Sequence, residues 1–364
     1  MAFPREALLE WYDAHKRDLP WRRTRDPYAI WVSEIMCQQT RVDTVIPYYE
    51  RFLDRFPTAT KLAEASEDDV LSRWSGLGYY RRARLLHAGA KAVRDRHGGA
   101  VPEDAEARRA LPGVGAYTAG AIGSIAFDKE EALVDGNVAR VLSRFARIDA
   151  PVGSTASNKK LWALADDAVQ GPRPGDFNQA LMELGATLCT KAAPACSRCP
   201  IAEACQALRQ GEVDRLPVPK KKKPPKPVFM VAVVPTVSGR MWLTRSDKSL
   251  FGGLWGVPLV EGTPPQGELF KSKAASKGAD VRPSELARRA LVGEGIRART
   301  PERMGQIEHV LSHRRMTVDV WRAKGARGTE DETLRRFTPA ELDEVGIAKL
   351  TRKILACATV LPND

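Results

Sequence analysis

LPGVGAYTAGAIGSIAFDKEEALVDGN, residues 111–137, carries the pattern on which the reading of this chain turns. Pro112 fixes φ, and Gly113 and Gly115 can take backbone angles that a Cβ resists. The small apolar run from Ala116 to Phe127 then has helical spacing at Ala119, Ile122 and Ala126. The turn therefore feeds a helix N-terminus, whose free N–H groups suit a phosphate. That makes Gly113, Val114 and Gly115 candidate phosphate contacts. Asp135 follows, beside Gly136 and Asn137, at the start of another helix. An anion-binding turn near a carboxylate suits work on a phosphodiester-linked substrate. The plainer reading of the same residues is a helix–helix turn and a capping aspartate, since Asp is common at helix starts.

The remainder of the chain bounds the choice. Its 364 residues are long for one domain and comfortable for two or three, and 43% hydrophobic content supports packed cores. Lys and Arg outnumber Asp and Glu by 57 to 45, a net +12. That balance favours a polyanion, nucleic acid before an anionic membrane surface. No apolar run approaches the ~20 residues of a membrane span, and the N-terminus lacks the apolar core of a secretion signal. The expectation is a cytoplasmic protein with no membrane partner, nucleoid-associated if bacterial.

In order, residues 4–16 read as a short amphipathic segment, and Asp26-Pro27 starts a helix expected to run to about Thr40. Glu34 lies in it among Ile30, Trp31, Ile35 and Met36, with no cation at i+3 or i+4. A carboxyl in apolar surroundings can hold a proton near neutrality. By periodicity alone, a solvated glutamate at the stripe's edge fits as well. Val42, Val45, Ile46, Tyr49, Phe52, Leu53 and Phe56 make a core stripe. Trp74 to Arg82 (WSGLGYYRR) reads as a loop with two tyrosines at its tip and arginines behind them, a combination suited to wedging into a duplex. Residues 138–147 and about 158–188 read as further helices, so the first 215 residues are expected to be almost wholly helical.

Four of the six cysteines fall between 189 and 205, spaced Cys189-x6-Cys196-x2-Cys199-x5-Cys205. Such crowding in a reducing compartment argues for a metal site over disulfides, and the spacing alone admits zinc or a [4Fe–4S] cluster. Lys191 and Arg198 bring basic charge beside it, while Cys37 and Cys357 read as packing residues. Residues 215–227, RLPVPKKKKPPKP, are too rich in proline and lysine for a core and read as a stiff, exposed linker. From 228 the texture changes: VFMVAVVPTV and RMWLTR read as strands joined at Ser238-Gly239, residues 316–321 as another strand and 283–291 as a helix, giving a small α+β domain.

LPGVGAYTAGAIGS followed by VDGNVARV resembles the helix–hairpin–helix DNA glycosylase superfamily and, within it, the adenine glycosylases of the MutY family. FGGLWGVP (251–258) and the order of elements after it are similar to that family's Nudix-like C-terminal domain. The resemblance covers nearly the whole chain. It implies an all-α glycosylase region over 1–214, with the helix–hairpin–helix at about 105–130 and an iron–sulfur loop at 189–205. The linker over 215–227 and an 8-oxoguanine recognition domain over 228–364 complete the expected architecture. The implied partner is double-stranded DNA with adenine opposite 8-oxoguanine or guanine, bound by a monomer.

The resemblance also assigns residues. Glu34 would protonate adenine and Asp135 would steady the cationic sugar, with Tyr117 and Asn137 orienting carboxylate and sugar. Arg17, Trp21 and Gln179 would surround the extruded adenine; Gln39, Thr40, Leu77 and Tyr79 would surround the opposing 8-oxoguanine. Gly113, Val114 and Gly115 would hold DNA phosphate, and Cys189, Cys196, Cys199 and Cys205 a [4Fe–4S] cluster. The family's Phe-Ser-His motif reads Leu311-Ser312-His313 here, so the polar 8-oxoguanine contacts Ser312 and His313 remain and the aromatic is gone. Aligning Arg288 to Ile296 with the Nudix box puts Val292 and Gly293 where metal-binding glutamates belong, which implies recognition without hydrolase activity. A bifunctional endonuclease III-type lyase would need an amine where Tyr117 stands. A non-catalytic cluster-bearing DNA-binding protein would not need Glu34 and Asp135 together.

Overall fold

The computed structural model describes residues 3–220, 224–245, 251–263, 281–311 and 313–358. Two compact units divide the chain, one of Met1–Ala65 and Arg82–Lys222, the other of Ser66–Arg81 and Lys223–Asp364. Helices α1 (Arg5–His15), α2 (Pro27–Cys37), α3 (Val42–Arg55), α4 (Ala59–Glu64), α5 (Glu67–Arg73), α6 (Arg81–His97), α7 (Ala105–Arg109), α8 (Ala116–Phe127), α9 (Gly136–Phe145), α10 (Thr155–Ala168), α11 (Pro174–Thr187) and α12 (Gln206–Arg209) follow in order. Among the described residues no strand precedes β1 (Lys226–Val237), and no helix is long and apolar enough to cross a membrane.

At the centre of the first unit, α2 packs on α3 and α8, and α11 packs on α1, α8 and α9. Asp26 starts α2 by accepting the N–H groups of Tyr28 and Ala29, with Pro27 in the first turn. Tyr28 to Met36 are all buried, so the helix is covered all round rather than along one stripe. It ends at Cys37, short of the expected Thr40. Gln38 leaves helical geometry at ψ 114, and Gln39 enters the left-handed region at φ 59. Where α11 meets α9, a Cβ at Gly185 would lie 2.7 Å from Asn137 Cβ, so only glycine permits that approach.

The segment expected to be an exposed linker begins as part of the helical unit. Leu216 is 1% exposed, its carbonyl accepts from Arg144 Nε at 2.9 Å, and the Val218 carbonyl accepts from Val152 N–H at 2.9 Å. The apolar Leu216 finds a place in the core, which its proline- and lysine-rich neighbours concealed.

The second unit is a mixed sheet. β1 pairs in parallel with β6 (Arg314–Lys324) and antiparallel with β2 (Arg240–Arg245) and β4 (Leu259–Gly262). β5 (Glu302–Val310) pairs with β6, while β3 (Trp255–Gly256) and β7 (Leu334–Phe337) pair with β2. The Ser238-Gly239 turn between β1 and β2 has φ of 49 and 75, as a tight hairpin requires. Because β1 is covered on both faces, its apolar run is continuous. Val228, Met230, Ala232 and Val234 meet Leu350 and Ile354 of α14 (Lys349–Cys357). Phe229, Val231 and Val233 meet Leu286 and Ala290 of α13 (Pro283–Gly293). Residues 66–81, helical neighbours by sequence, group with this sheet. Arg245 Nη1 pairs with Asp68 Oδ1 at 2.6 Å, and Tyr80 Oη donates to the Ile347 carbonyl at 2.9 Å.

Candidate active site

Glu34 comes from the middle of α2 and is 7% exposed. Its Oε2 accepts a hydrogen bond from the Tyr117 hydroxyl of α8, and that hydroxyl lies 3.4 Å from Met182 Sδ. Burial, joined by the nearby Asp135 carboxylate, pushes the Glu34 carboxyl up to about 7, against the opposing pull of Tyr117 and Arg22. Burial also holds the Tyr117 hydroxyl well above 10, so it remains a donor. Glu34 shares one pocket with Trp21, Arg22, Ile30, Ser33 and Gln179. The sequence-based choices Trp21, Glu34 and Gln179 are thus brought together. Trp21 is held edge-on by Tyr49, ring centroids 5.3 Å apart.

Arg17, expected beside the extruded adenine, pairs with a carboxylate that it shares with the pocket residue Arg22. Its Nε and Nη2 donate to both oxygens of Glu183, at 2.7 and 2.9 Å, and Arg22 Nη2 donates to the same carboxylate at 2.8 Å. Burial disfavours an ionised Glu183, yet the two guanidiniums overcome this and hold its carboxyl below the usual range. Arg22 and Glu183 were missed by sequence reasoning. The available signal was a lone glutamate in the otherwise apolar ALMELGA of α11; its partners lie over 160 residues away in the chain.

Asp135 is the N-cap of α9 and accepts the Val138 N–H at 2.7 Å. Burial raises its carboxyl above the ordinary value, while the N–H groups of Val138 and Asn137 oppose that rise. Asn137 Oδ1 accepts from Arg140 Nη2 at 2.9 Å. The same guanidinium donates to the Gly185 and Cys189 carbonyls at 2.6 and 2.7 Å. Cys189, Cys196, Cys199 and Cys205 line one cavity with Val141 and Leu184. Among the described residues no three His, Cys, Asp or Glu are grouped as ligands of one ion. Arg144 Nη1 lies 3.3 Å from Cys189 Sγ, and backbone N–H groups of Ile201 and of Ala207 and Leu208 reach Cys199 and Cys205.

Of the turn before α8, Gly113 has φ 80 and needs glycine, whereas Gly115 sits at φ −88 as the N-cap. A Cβ on Gly115 would meet nothing within 4 Å, so its smallness leaves open space at the helix end rather than relieving strain. Val114 is buried. Gln39 is exposed and Thr40 half-buried, both in the first unit. Leu77 and Tyr79 belong to the second, Leu77 buried at 5% and Tyr79 51% exposed with φ 49. Of the two tyrosines expected at the tip, Tyr80 therefore packs down and Tyr79 stands out. His313 is exposed, Leu311 packs against the core between sheet and α14, and Ser312 lies outside the described residues.

Residues 32–166 match the HhH-GPD superfamily of base excision DNA repair proteins, and residues 230–357 match the NUDIX domain. The adenine DNA glycosylase of Mus musculus is 39% identical over 370 residues, covering 87% of this chain and 70% of the relative. This chain belongs to the adenine DNA glycosylase family. The Arabidopsis thaliana member is 38% identical over 371 residues, covering 90% of this chain and 58% of its own. A solved structure of a thermostable thymine-DNA glycosylase is similar at 32% identity and a TM-score of 0.51, over 57% of this chain and 95% of that one. The family's helical match spans Glu34, Tyr117 and Asp135, and its NUDIX match runs from β1 to the end of α14.

Proposed function

We propose that this enzyme hydrolyses the N-glycosidic bond of adenine mispaired with 8-oxoguanine or guanine in double-stranded DNA, without cleaving the strand. The observation that carries the reading is Glu34: a buried carboxyl poised at about 7 in a pocket with Trp21 and Gln179, beside a second carboxylate. Adenine leaves the stack for the pocket, at a cost of a few kcal/mol that a mispair lowers. Glu34 donates its proton to adenine N7, and the bond from the sugar to N9 breaks with its electrons going to the base. Asp135 balances the positive charge that develops on the sugar, and Glu34, now ionised, takes the proton of the incoming water. This resembles the division of labour between two glycosidase carboxyls. Tyr117, a phenol, offers no amine for an imine with the sugar, which supports hydrolysis without strand cleavage.

The cysteine loop fits a [4Fe–4S] cluster held by Cys189, Cys196, Cys199 and Cys205. The four sulfurs line a largely apolar cavity, and N–H donors and Arg144 stand ready for thiolate charge. The cluster would supply a cross-link among four points of the loop, and with it folding free energy. The exposed Lys191 and Arg198 suit phosphate contact. In the second unit α13 presents Val292, 75% exposed, where a Nudix hydrolase needs a carboxylate. That supports a lesion-reading role for this domain, with Ser312 and His313 facing 8-oxoguanine. Single-turnover excision on A:8-oxoguanine, A:G and A:T duplexes tests the reading. Adenine should leave the two mispairs, product strands should stay intact until alkali is added, and Glu34→Gln should abolish release. Excision from A:T as fast as from the mispairs would sink it.

A further inference from the structure

The end of α2 is fixed by a side chain that the mechanism does not use. Arg82, in the first turn of α6, is 9% exposed and directs its guanidinium at the last carbonyls of α2 and the loop beyond. Nη1 donates to the Ile35 and Met36 carbonyls at 2.8 and 2.9 Å, and also to the Gln38 carbonyl. Nη2 donates to Thr40 Oγ1 at 3.1 Å. Arg82 thus grips the chain on both sides of Gln39, whose φ of 59 is unfavourable for a residue with a Cβ. Such a conformation persists only where the surroundings over-determine it. Gln38 adds a weak bond from Nε2 to Thr118 Oγ1 at 3.5 Å, and the Thr40 hydroxyl one to the Gln38 carbonyl at 3.4 Å. Neither matches the fork of Arg82.

We propose that Arg82 is a positioning residue for discrimination of the opposing base, acting by holding Gln39 and Thr40 in the geometry that meets 8-oxoguanine. The inference rests on the reading above that Gln39 and Thr40 face that base. A planar guanidinium can serve several acceptors in fixed directions, and an ammonium cannot. Arg82→Lys keeps the charge and loses the fork. The loop is then free to relax from the left-handed conformation, and the amide of Gln39 leaves its place.

The test uses the full-length protein. Single-turnover excision is measured on A:8-oxoguanine and A:G duplexes for wild type, Arg82→Lys, Gln39→Ala and the double variant at one salt concentration. The readout is the ratio of the two rate constants, in which any inactive fraction cancels. Arg82→Lys should lower the ratio about five- to tenfold, the worth of one or two net hydrogen bonds. The double variant should fall by less than the product of the two single effects, because Arg82 acts in part through Gln39. Rates that fall together, leaving the Arg82→Lys ratio at the wild-type value while Gln39→Ala lowers it, would overturn the inference alone. A Gln39→Ala ratio equal to wild type would overturn the assignment of Gln39 to the opposing base, and this inference with it. Should Arg82→Lys fold poorly, Arg82→Gln, which also loses the fork, is measured in its place and should lower the ratio; an unmoved ratio there counts against the proposal.

Discussion

Replacing Glu34 by glutamine should make the protein more stable at alkaline pH and leave it no more stable in acid. Glu34 is 7% exposed in the middle of α2, and burial lifts its carboxyl from 4.5 to about 7. The folded chain therefore binds this proton more tightly than the unfolded chain does. The stability contributed by that preference is whole below 4.5 and is lost as pH climbs through about 7. At ~1.4 kcal/mol per pH unit, ionising Glu34 in place costs the fold about 3 kcal/mol. Glutamine stays neutral and avoids that cost, and its amide oxygen can still accept from Tyr117. Urea unfolding of wild type and Glu34→Gln, followed by circular dichroism from about pH 4 to about pH 8.5, reads the difference directly. The two stabilities should nearly coincide at the acid end, diverge in favour of the variant, and level off ~3 kcal/mol apart above about pH 7.5. The same protonation should appear in catalysis, with the wild-type excision rate constant falling about tenfold per pH unit above about 7. A stability difference that does not change with pH would refute the reasoning, since a general acid poised near neutrality must carry this linkage.

The other predictions bear on the partners of Glu34 and on the remaining domains. Tyr117→Phe removes a donor that favours ionised Glu34, so the alkaline limb of the excision profile should move up by about one to two pH units, whatever the height of its plateau. Asp135→Asn should keep the α9 cap, because Asn caps a helix as well as Asp, and melt near wild type while losing orders of magnitude in excision. Purified protein should be yellow-brown with about four irons per chain, and a colourless protein with stoichiometric zinc would remove the cluster. Truncation before Val228 should lower the preference for A:8-oxoguanine over A:G further than Ser312→Ala does, read as a rate ratio at fixed salt because salt alone shifts DNA affinity.

Local rules reached most of the helical half. Asp26-Pro27 as a start, the glycine turn before α8 and Asp135 at the head of α9 each follow from backbone chemistry within a few residues. Of the second unit's strands, β1 and β2 with the Ser238-Gly239 turn between them, and β6, were legible for the same reason, whereas the short β3, β4 and β7 and the edge strand β5 were not. What escaped depends on contacts between distant parts of the chain. Nothing near Glu183 in sequence announces two arginines from the chain's start, and nothing around Arg82 says that its carbonyl partners lie on α2. The two readings of Glu34 differed only in burial, which periodicity could not supply because α2 is covered on every side. Residues 66–81 fall within the helical series in sequence, and from Trp74 they read as a loop. Their place beside the sheet rests on Asp68 and Tyr80 finding Arg245 and Ile347, each over 170 residues away.

Glu34 is buried and Asp135 half-buried, and since the two carboxyls act on each other, one must keep the proton. Burial raises both, and Asp135 raises Glu34 further by its charge. Asp135 has what an anion needs: the Val138 N–H at 2.7 Å, a second donor from Asn137, and the positive end of α9. Glu34 lies in mid-helix, where backbone N–H groups are already used, and among the described residues it is Tyr117 that bonds it. The proton therefore resides on Glu34, as a general acid requires. On the proposed mechanism, once Glu34 has given that proton to adenine, both groups are ionised in a site of low polarity, an arrangement disfavoured in the absence of positive charge. The sugar supplies that charge at the same moment, as its bond to the base breaks. The repulsion that adds to burial in raising Glu34 before reaction would thus become attraction for the cation formed during it, so on the proposed mechanism one arrangement of two carboxyls serves both proton donation and charge stabilisation.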